Sequence, residues 1–173
     1  MVSYERVAFV ARANRLDDEW QLTLSDLDVS RSSLPWQSKQ IEVRWTRNDD
    51  AVRGAIEADR ISLDNVWPLL AYLPESERLA RVRALRARGT VENLQARIER
   101  TNADPALAYA LEASLVDIGF DPIERAPGLA GISGTLRADE SQGELQVASR
   151  TAELRLPRMF RDVLSADTVD GTA

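Results

Sequence analysis

The side chains that could do chemistry in this sequence are few, and their types exclude most catalytic mechanisms. Histidine and cysteine are absent, which removes the commonest general base, the thiolate nucleophile and the thiolate metal ligand. The remaining candidates are carboxylates in adjacent pairs, at Asp17/Asp18, Asp49/Asp50 and Asp139/Glu140. All of these pairs lie in predicted turns, where acidic side chains are usually solvated. We therefore predict a non-catalytic protein with no cofactor and no metal, because an enzyme would need these carboxylates to converge in the fold.

Glycine and arginine could bind phosphate groups, but neither has the pattern of a known phosphate site. Gly128, Gly131 and Gly134 lie close together, yet Pro127 precedes them and a predicted strand follows. A phosphate-binding loop leads into a helix instead. Lys39 is the one lysine among 22 basic residues. Arginine forks could bind phosphate or carboxylate, but the arginines are scattered along all predicted elements, as in the product of a GC-rich genome.

The composition is typical of a folded segment and argues against a nucleic-acid partner. The 173 residues fit one compact unit, with 44% apolar and 29% charged residues. A net charge of −6 opposes nucleic-acid binding, which needs a basic surface. No apolar run approaches the roughly 20 residues that cross a bilayer. Any membrane anchor is therefore expected outside these residues.

The elements that position the side chains read mainly as strands with one apolar face. Apolar residues alternate with polar ones in the first 63 residues, which predicts half-buried antiparallel strands of roughly 8–11 residues. Breaks are predicted at 14–18, 30–38 and 48–50, where turn-forming residues cluster. Further strands are predicted at 91–98, 107–115, 132–138, 144–149 and 154–156, with a loop at 126–131 and a further strand approached at 164–173.

A helical insertion is predicted at 64–88. Asp64 or Asn65 could cap a short apolar helix that tolerates Pro68 in its first turn and continues to Tyr72. A second helix is predicted from Pro74, with acidic residues in its first turn and Gly89 at its end. A terminal helical turn is predicted after Pro157, through Met159, Phe160 and Val163.

The alternation slips by one residue at several similar places. Each slip carries an extra polar residue, which predicts a β-bulge that bends the strand and keeps its apolar residues on one face. The slips lie at Leu24–Leu27, Ala58–Ile61, Val91–Leu94 and Leu115–Ile118. They predict a curved sheet of repeated strand units.

These patterns give the fold class: mainly β with a small helical insertion, with long antiparallel strands forming a curved, groove-like sheet. Residues 1–173 are expected to be one segment of a larger β-groove protein. The strands occupy 1–63, the helical insertion 64–88, and strands with a terminal helical turn 89–173. Apolar side chains could line an open groove for acyl chains or fill the closed core of a structural or protein-binding domain, because alternation is the same in both. The candidate lining residues are Val7, Phe9, Trp20, Leu22, Leu24, Ile41, Val43, Trp45, Ile56, Ile98, Tyr109, Leu111, Leu136, Leu145 and Val147.

The order of several blocks resembles the middle region of the YhdP-type AsmA-like family. Each block is a pattern of apolar, glycine and proline positions, and their order and spacing carry the resemblance over residues 55–171. The blocks are Leu63–Pro74, Arg88–Leu94, Ala113–Phe120, Ala126–Gly134, Gly143–Ser149 and Leu154–Phe160.

The resemblance implies a large envelope protein of Gram-negative bacteria that is anchored in the inner membrane. Its periplasmic part would be an elongated β groove of the kind found in bridge-like lipid transfer proteins, implicated in moving phospholipid toward the outer membrane. The implied partners are phospholipid acyl chains and the remainder of the parent chain. The implied location of this segment is the periplasm, and no catalytic motif of the family exists to carry over.

Overall fold

A computed structural model describes residues 3–31, 34–48, 50–72, 80, 83–102, 107–123, 127–156 and 162–173. The strands within these ranges are β1 Arg6–Leu16, β2 Glu19–Arg31, β3 Leu34–Arg47, β4 Ala51–Ser62, β5 Arg88–Thr101, β6 Ala108–Phe120, β7 Gly128–Asp139, β8 Gly143–Ser149, β9 Ala152–Arg155, β10 Leu164–Ala166 and β11 Val169–Thr172. Two helical elements have both ends within these ranges, α1 Leu63–Val66 and the 3-10 helix Trp67–Tyr72, and residues 80, 83 and 84 are also helical.

The described strands form one antiparallel sheet that does not close into a barrel. Strands β1 to β8 follow one another in chain order across the sheet, β11 pairs with β8, β9 pairs with β7, and β10 pairs with β9. Strands β1 to β7 contain 11 to 14 residues, well above the usual length of about 5–6. The predicted fold class is therefore confirmed.

Three of the predicted bulges are present. Asp26, Asn93 and Asp117 have φ angles of 53°, 51° and 53°. Each lies where the pairing of its strand with a neighbour shifts register. Asparagine and aspartate tolerate this left-handed conformation better than most residues. Such bulges bend a strand and restore its apolar residues to one face. The polar residue at each of these slips is therefore the one that adopts the left-handed backbone conformation of the bulge.

The fourth slip, at Ala58–Ile61, is organised differently. The pairing of β4 with β5 runs through it without a register shift, whereas the pairing of β3 with β4 ends at Ala58. Beyond that point the carboxylate of Asp59 accepts hydrogen bonds from the Ser38 hydroxyl at 2.5 Å and from the backbone N–H groups of Lys39 at 3.0 Å and Gln40 at 3.1 Å. A side chain therefore replaces the missing backbone ladder.

The described residues of the predicted helical insertion include helix at 63–72 and at residues 80, 83 and 84. α1 and the 3-10 helix occupy 63–72, but the N-cap of α1 is Ser62 and makes no side-chain capping bond. Asp64 instead accepts a hydrogen bond from the Gly89 N–H at 2.9 Å. Gly89 does not end a helix; it lies in β5 with φ 103°. Much of the predicted second helix, and most of the predicted turn after Pro157, lie outside the described residues.

Two predicted breaks are strands instead. Residues 34–38 belong to β3, which pairs with β2 through Val29 opposite Trp36 and Leu27 opposite Ser38. Residues 128–131 belong to β7. Gly131 has φ 75°, and a Cβ there would collide with the carbonyl of Thr151. Its glycine marks a close approach of two strands rather than a loop.

The main buried cluster lies against α1. Leu27, Val29, Trp36, Ile41 and Ala58 form its buried part. Partly buried apolar side chains pack around it, including that of Val66 in α1. The Trp36 indole N–H donates to the carbonyl of Arg60 at 3.0 Å. The core is therefore concentrated at one end of the strands rather than between two sheets.

The bulge at Asn93 gives a first test. We expect Asn93→Val to lower the free energy of unfolding by about 1–2 kcal/mol, because a β-branched residue is strained at positive φ. Asn93→Gly should change stability by less than about 0.5 kcal/mol, since glycine adopts this conformation freely. Urea unfolding at unchanged m measures both. Gln95→Val, at an ordinary exposed position of the same strand, is the control, and an equal loss there would contradict the bulge.

The Asp59 carboxylate gives a second test, through pH. Partial burial raises its pKa, but the hydrogen bonds from Ser38, Lys39, Gln40 and Arg60 outweigh this and hold the pKa below its ordinary value. A depressed pKa stabilises the fold above the unfolded-state pKa, about 3.9, and the contribution is lost as pH falls through the lower folded value. We expect Asp59→Asn to cost about 1 kcal/mol at pH 7.

The same comparison at acidic pH completes the test. The difference between the original protein and Asp59→Asn should narrow as pH falls below about 4. Glu57→Gln, which removes an exposed carboxylate two residues away, should cost much less at pH 7. A difference for Asp59→Asn that is constant from pH 7 to pH 3 would contradict the role of the charge.

Candidate functional site

Cross-strand pairing places the alternating apolar residues in rows on one face of the sheet, the apolar face. In one row Trp20 pairs with Trp45, Trp45 with Gly54, Gly54 with Ile98, and Ile98 with Tyr109. Paired residues share a face because side chains alternate along each strand. Successive rows two residues further along the strands therefore extend the same face.

All of the candidate lining residues occupy this face. Leu22, Val43, Ile56 and Leu111 belong to a second row, and Leu24, Ile41, Leu136 and Leu145 to a third. Val7 pairs with Val29, and Phe9 lies opposite the bulge at Asp26. Val147 pairs with Gly134, whose other partner is Leu115. The register joins them into one surface, while their contact with lipid stays a prediction.

In β2 and β3, exposure rises along the strands from one end of the apolar face to the other, whereas Val7 and Phe9 of the edge strand β1 are 54% and 53% exposed. Leu27 and Val29 are 7% and 5% exposed. The second row is half-buried, and Trp20 and Trp45 are 40% and 41% exposed. We call these ends the covered end and the open end. The gradient follows from what lies on the sheet, because burial needs a second layer.

The covered end is closed by α1 and its neighbours. Asn65 is fully buried, and its carbonyl accepts a hydrogen bond from the Tyr4 hydroxyl at 2.8 Å. The guanidinium of Arg31 donates to the carbonyl of Asp64 at 3.1 Å. These bonds attach the helix to β2 and to the residues before β1. They make the helix a fixed cover of this end.

The open end carries a row of aromatic and aliphatic side chains with no second layer among the described residues. The rings of Trp20 and Trp45 stack across β2 and β3, with centroids 6.0 Å apart and planes within 8°. The guanidinium of Arg15 lies 5.5 Å from the Trp20 ring centroid, within reach of a cation–π contact. Ile98 and Tyr109 are 46% and 40% exposed. This exposed apolar surface makes the open end the candidate site.

A cavity of about 410 Å³ lies near this end of the sheet. Most of its lining residues belong to rows of the opposite face, such as Arg44, Ala55 and Arg97, and Trp45, Gly54, Ile98 and Tyr109 of the apolar row complete it. Gly54 interrupts the row, and a Cβ there would lie 3.1 Å from the Ile98 side chain. The small residue therefore lets Ile98 settle between its neighbours. The volume lies within the range of small-molecule sites, but the wall is one sheet and not an enclosed pocket.

The opposite, polar face is covered by cross-strand ion pairs. Arginines and glutamates alternate between neighbouring strands and approach each other within 2.5–3.2 Å. The pairs are Arg44 with Glu42 and Glu57, Arg53 with Glu99, Arg60 with Glu92, and Arg137 with Glu112. Exposed pairs contribute little stability each, about 0–1 kcal/mol. The ion pairs identify this face as the solvent-exposed face of the sheet.

The carboxylates considered for catalysis do not converge. Asp17 lies in the turn between β1 and β2, Asp139 ends β7, and β3 to β6 separate β2 from β7 in the sheet. Asp139 accepts hydrogen bonds from the Ser141 hydroxyl and from the N–H groups of Ser141 and Gln142, which hold its pKa below the ordinary value. It acts as a turn residue. Asp49 lies outside the described residues.

Two features are absent from the described ranges. No cluster of three or more acidic residues is placed to hold a metal ion there. Within the same ranges, no helix has the length and apolar character needed to span a membrane.

Sequence reasoning missed several residues of the same face. Leu27, Val29 and Trp36 were absent from the candidate list although they form the covered end. The alternation that continues beyond the slip at Asp26 could have identified the first two. Leu94 also packs against this cluster, and the slip at Asn93 contained that signal.

The family comparison decides the identity of the chain. The model of the YhdP protein family matches residues 3–173. The chain belongs to the YhdP family. This membership covers the whole sheet, including the first strands, for which the sequence blocks were least distinctive.

A curated relative carries a functional name. The intermembrane phospholipid transporter YhdP of Escherichia coli (strain K12) is 25% identical over 175 residues, which cover 94% of this chain and 13% of that protein. The YhdP-family chain described here therefore spans a small part of the relative's length. No solved structure matches the chain.

The tryptophans report the burial gradient directly. We expect Trp36→Ala to lower the free energy of unfolding by about 3–5 kcal/mol, as for a buried aromatic residue. Trp45→Ala should cost about 1–2 kcal/mol, because much of its surface is already in water and the stacked pair adds only about 0.5–1.5 kcal/mol. Urea unfolding measures both variants.

A complementary measurement avoids the risk that Trp36→Ala does not fold. In variants that retain one tryptophan, with phenylalanine at the other positions, acrylamide should quench Trp45 several-fold more strongly than Trp36. Equal quenching of the two tryptophans would show that the open end is covered in solution.

Proposed function

We propose that this chain is a non-catalytic segment of an envelope phospholipid transporter, and that its apolar face lies against acyl chains. The observation that carries the proposal is the continuous apolar face, which becomes exposed toward the open end at Trp20, Trp45, Ile98 and Tyr109. The name of the Escherichia coli relative gives the substrate class. The proposed location is the periplasm, with a membrane anchor elsewhere in the parent chain.

The energetics favour lipid as the occupant of this face. An acyl chain gains about 0.8 kcal/mol for each CH₂ removed from water, so covering ten of them stabilises the bound state by about 8 kcal/mol before ordering costs. The attraction is non-directional. An acyl chain can therefore shift from one strand to the next without breaking specific bonds, which suits transport better than fixed recognition.

The bulges support a trough rather than a flat sheet. Asp26, Asn93 and Asp117 lie in the interior of β2, β5 and β6, where each bulge bends its strand. The strand ends then become the two lips of the trough, one beneath α1 and the other at the open end. Acyl chains would lie between the lips and run across successive strands.

The alternative of a closed structural domain agrees less well with the structure. A closed sandwich or barrel would pack Phe9, Trp20 and Trp45 against other side chains. The sheet is not closed, and Phe9 is 53% exposed. Both observations favour the open groove over the closed core. A protein partner on the same face remains a second occupant that the following test separates from lipid.

Lipid bound to the purified chain tests the proposal. After incubation with vesicles of Escherichia coli polar lipid, native mass spectrometry should detect phospholipid on the original protein. Ile56→Asp should retain at least about ten-fold less, because burying an acyl chain against a carboxylate leaves that charge desolvated. The matched control is Ala55→Asp, the adjacent residue on the polar face between Arg44 and Arg97.

The outcomes divide clearly. Retention by Ala55→Asp and loss by Ile56→Asp supports the apolar face as the lipid site, provided that circular dichroism shows both variants folded. Ile56→Asn replaces Ile56→Asp if the charged variant does not fold. Equal retention by both variants, or a lipid-free original protein, would contradict the proposal.

A further inference from the structure

A pair of arginines lies on the apolar face beyond the exposed row of the open end. Arg47 pairs with Val52 in the β3–β4 ladder, and Val52 pairs with Arg100 in the β4–β5 ladder. Arg47 lies two residues beyond Trp45, and Arg100 two residues beyond Ile98. By alternation, both guanidinium groups therefore belong to the same face as the acyl-chain surface.

These arginines differ from the other arginines by the face they occupy. On the polar face Arg44 and Arg53 contact glutamates within 2.5–3.2 Å, whereas Arg97 makes no such contact within the described residues. The side chains of Arg47 and Arg100 are exposed and have neither a hydrogen bond nor an ion pair to any described residue. The distinguishing observation is therefore that two unpaired cations lie in one row of the apolar face, in a protein of net charge −6.

From this placement we infer that Arg47 and Arg100 form a headgroup site, which binds the phosphate of a phospholipid while its acyl chains lie across Trp45 and Ile98. This inference rests on the proposed function and names the recognition element of that same face. The two residues form one row through Val52, and paired residues in an antiparallel sheet are about 4.5–5.5 Å apart. Their Cα atoms are thus about 10 Å apart, which lets two long side chains converge on one phosphate.

The chemistry of arginine suits this position. Its aliphatic stem continues the apolar surface while the guanidinium remains in water at the lip. The planar fork donates two hydrogen bonds to phosphate oxygens, and charge-assisted bonds of this kind are stronger than neutral ones. Val52, 44% exposed between them, adds apolar surface at the level where the glycerol of a lipid would lie.

The charged groups near the site make no ion pair with it among the described residues. Asp18, across from Arg47 by continuation of the β2–β3 register, lies 4.0 Å from Arg15 instead. Glu99 is held by Arg53 on the polar face at 2.7 Å. The headgroup site therefore consists of Arg47 and Arg100, with the carboxylates of Asp18 and Asp50 in the adjoining turns.

The experiment compares two lipids that share acyl chains and differ in the phosphate. The purified chain is incubated with dioleoylphosphatidylcholine vesicles that carry labelled dioleoylphosphatidylglycerol or labelled dioleoylglycerol, and the label retained by the protein is measured. We expect R47Q/R100Q to retain about ten-fold less phosphatidylglycerol, equivalent to about 1.4 kcal/mol, and unchanged dioleoylglycerol. High salt should reduce the difference.

The matched control removes the same charge from the other face. Arg6 and Arg12 lie on the polar face of β1, and the ion pair of Arg6 with Asp28 is exposed. R6Q/R12Q should therefore retain both lipids like the original protein. An equal loss of phosphatidylglycerol in this control would show that net charge, and not the headgroup site, governs retention, and would overturn the inference.

The remaining outcomes separate the inference from the proposed function. If the original protein retains both lipids and R47Q/R100Q does too, the headgroup site is wrong and the apolar face stands. An equal loss of both lipids in R47Q/R100Q also overturns the headgroup site, because it means that the arginines support the face itself. If the original protein retains neither lipid, the proposed function fails, and the headgroup site fails with it.

Discussion

The register of the antiparallel pairing is the constraint on which the rest of the structure depends. A shift of one residue would move every side chain of a strand to the other face. The strands here are long enough for the apolar sequence to slip, and the bulges at Asp26, Asn93 and Asp117 correct three of the four slips locally. Because the corrections occur inside the strands, rows of apolar residues continue across the sheet, with ion pairs behind them.

The apolar face that this register creates is divided into a covered end and an open end. α1 covers one end, where Leu27, Val29 and Trp36 form a core. At the other end the same face presents Trp20 and Trp45 to solvent. One surface therefore has two parts: its covered end packs the core, and its open end presents apolar side chains to solvent. The proposed lipid contact would use the open end.

How much of this could be predicted depends on how local the cause is. Alternation in Trp20, Leu22 and Leu24 fixed the face, since the two-residue period is a property of each strand alone. The slips at Asp26 and Asn93 predicted bulges for the same reason. The slip at Ala58 looked identical in sequence, but its outcome depends on the N–H groups of a neighbouring strand, which the Asp59 carboxylate binds.

Long-range contacts account for the other differences. Gly131 looked like a loop residue, although its conformation reflects the approach of the Thr151 carbonyl from another strand. The seating of α1 on the sheet and the position of Arg47 beside Arg100 likewise follow from pairing between distant segments. The alternation in the sequence identified the residues of the candidate site. Their arrangement in rows depends on the sheet register, which alternation alone does not give.

The most direct measurement of the central claim is a photo-crosslinking scan along β3 in cells. A photoreactive amino acid would replace residues 42 to 46 in turn, within the full-length parent protein; Ile41 is left out because it lies in the buried cluster beside α1. The account predicts lipid crosslinks at 43 and 45, on the apolar face, and few at 42, 44 and 46, on the polar face. Crosslinks without this two-residue period, or crosslinks at 43 and 45 to protein alone, would contradict it.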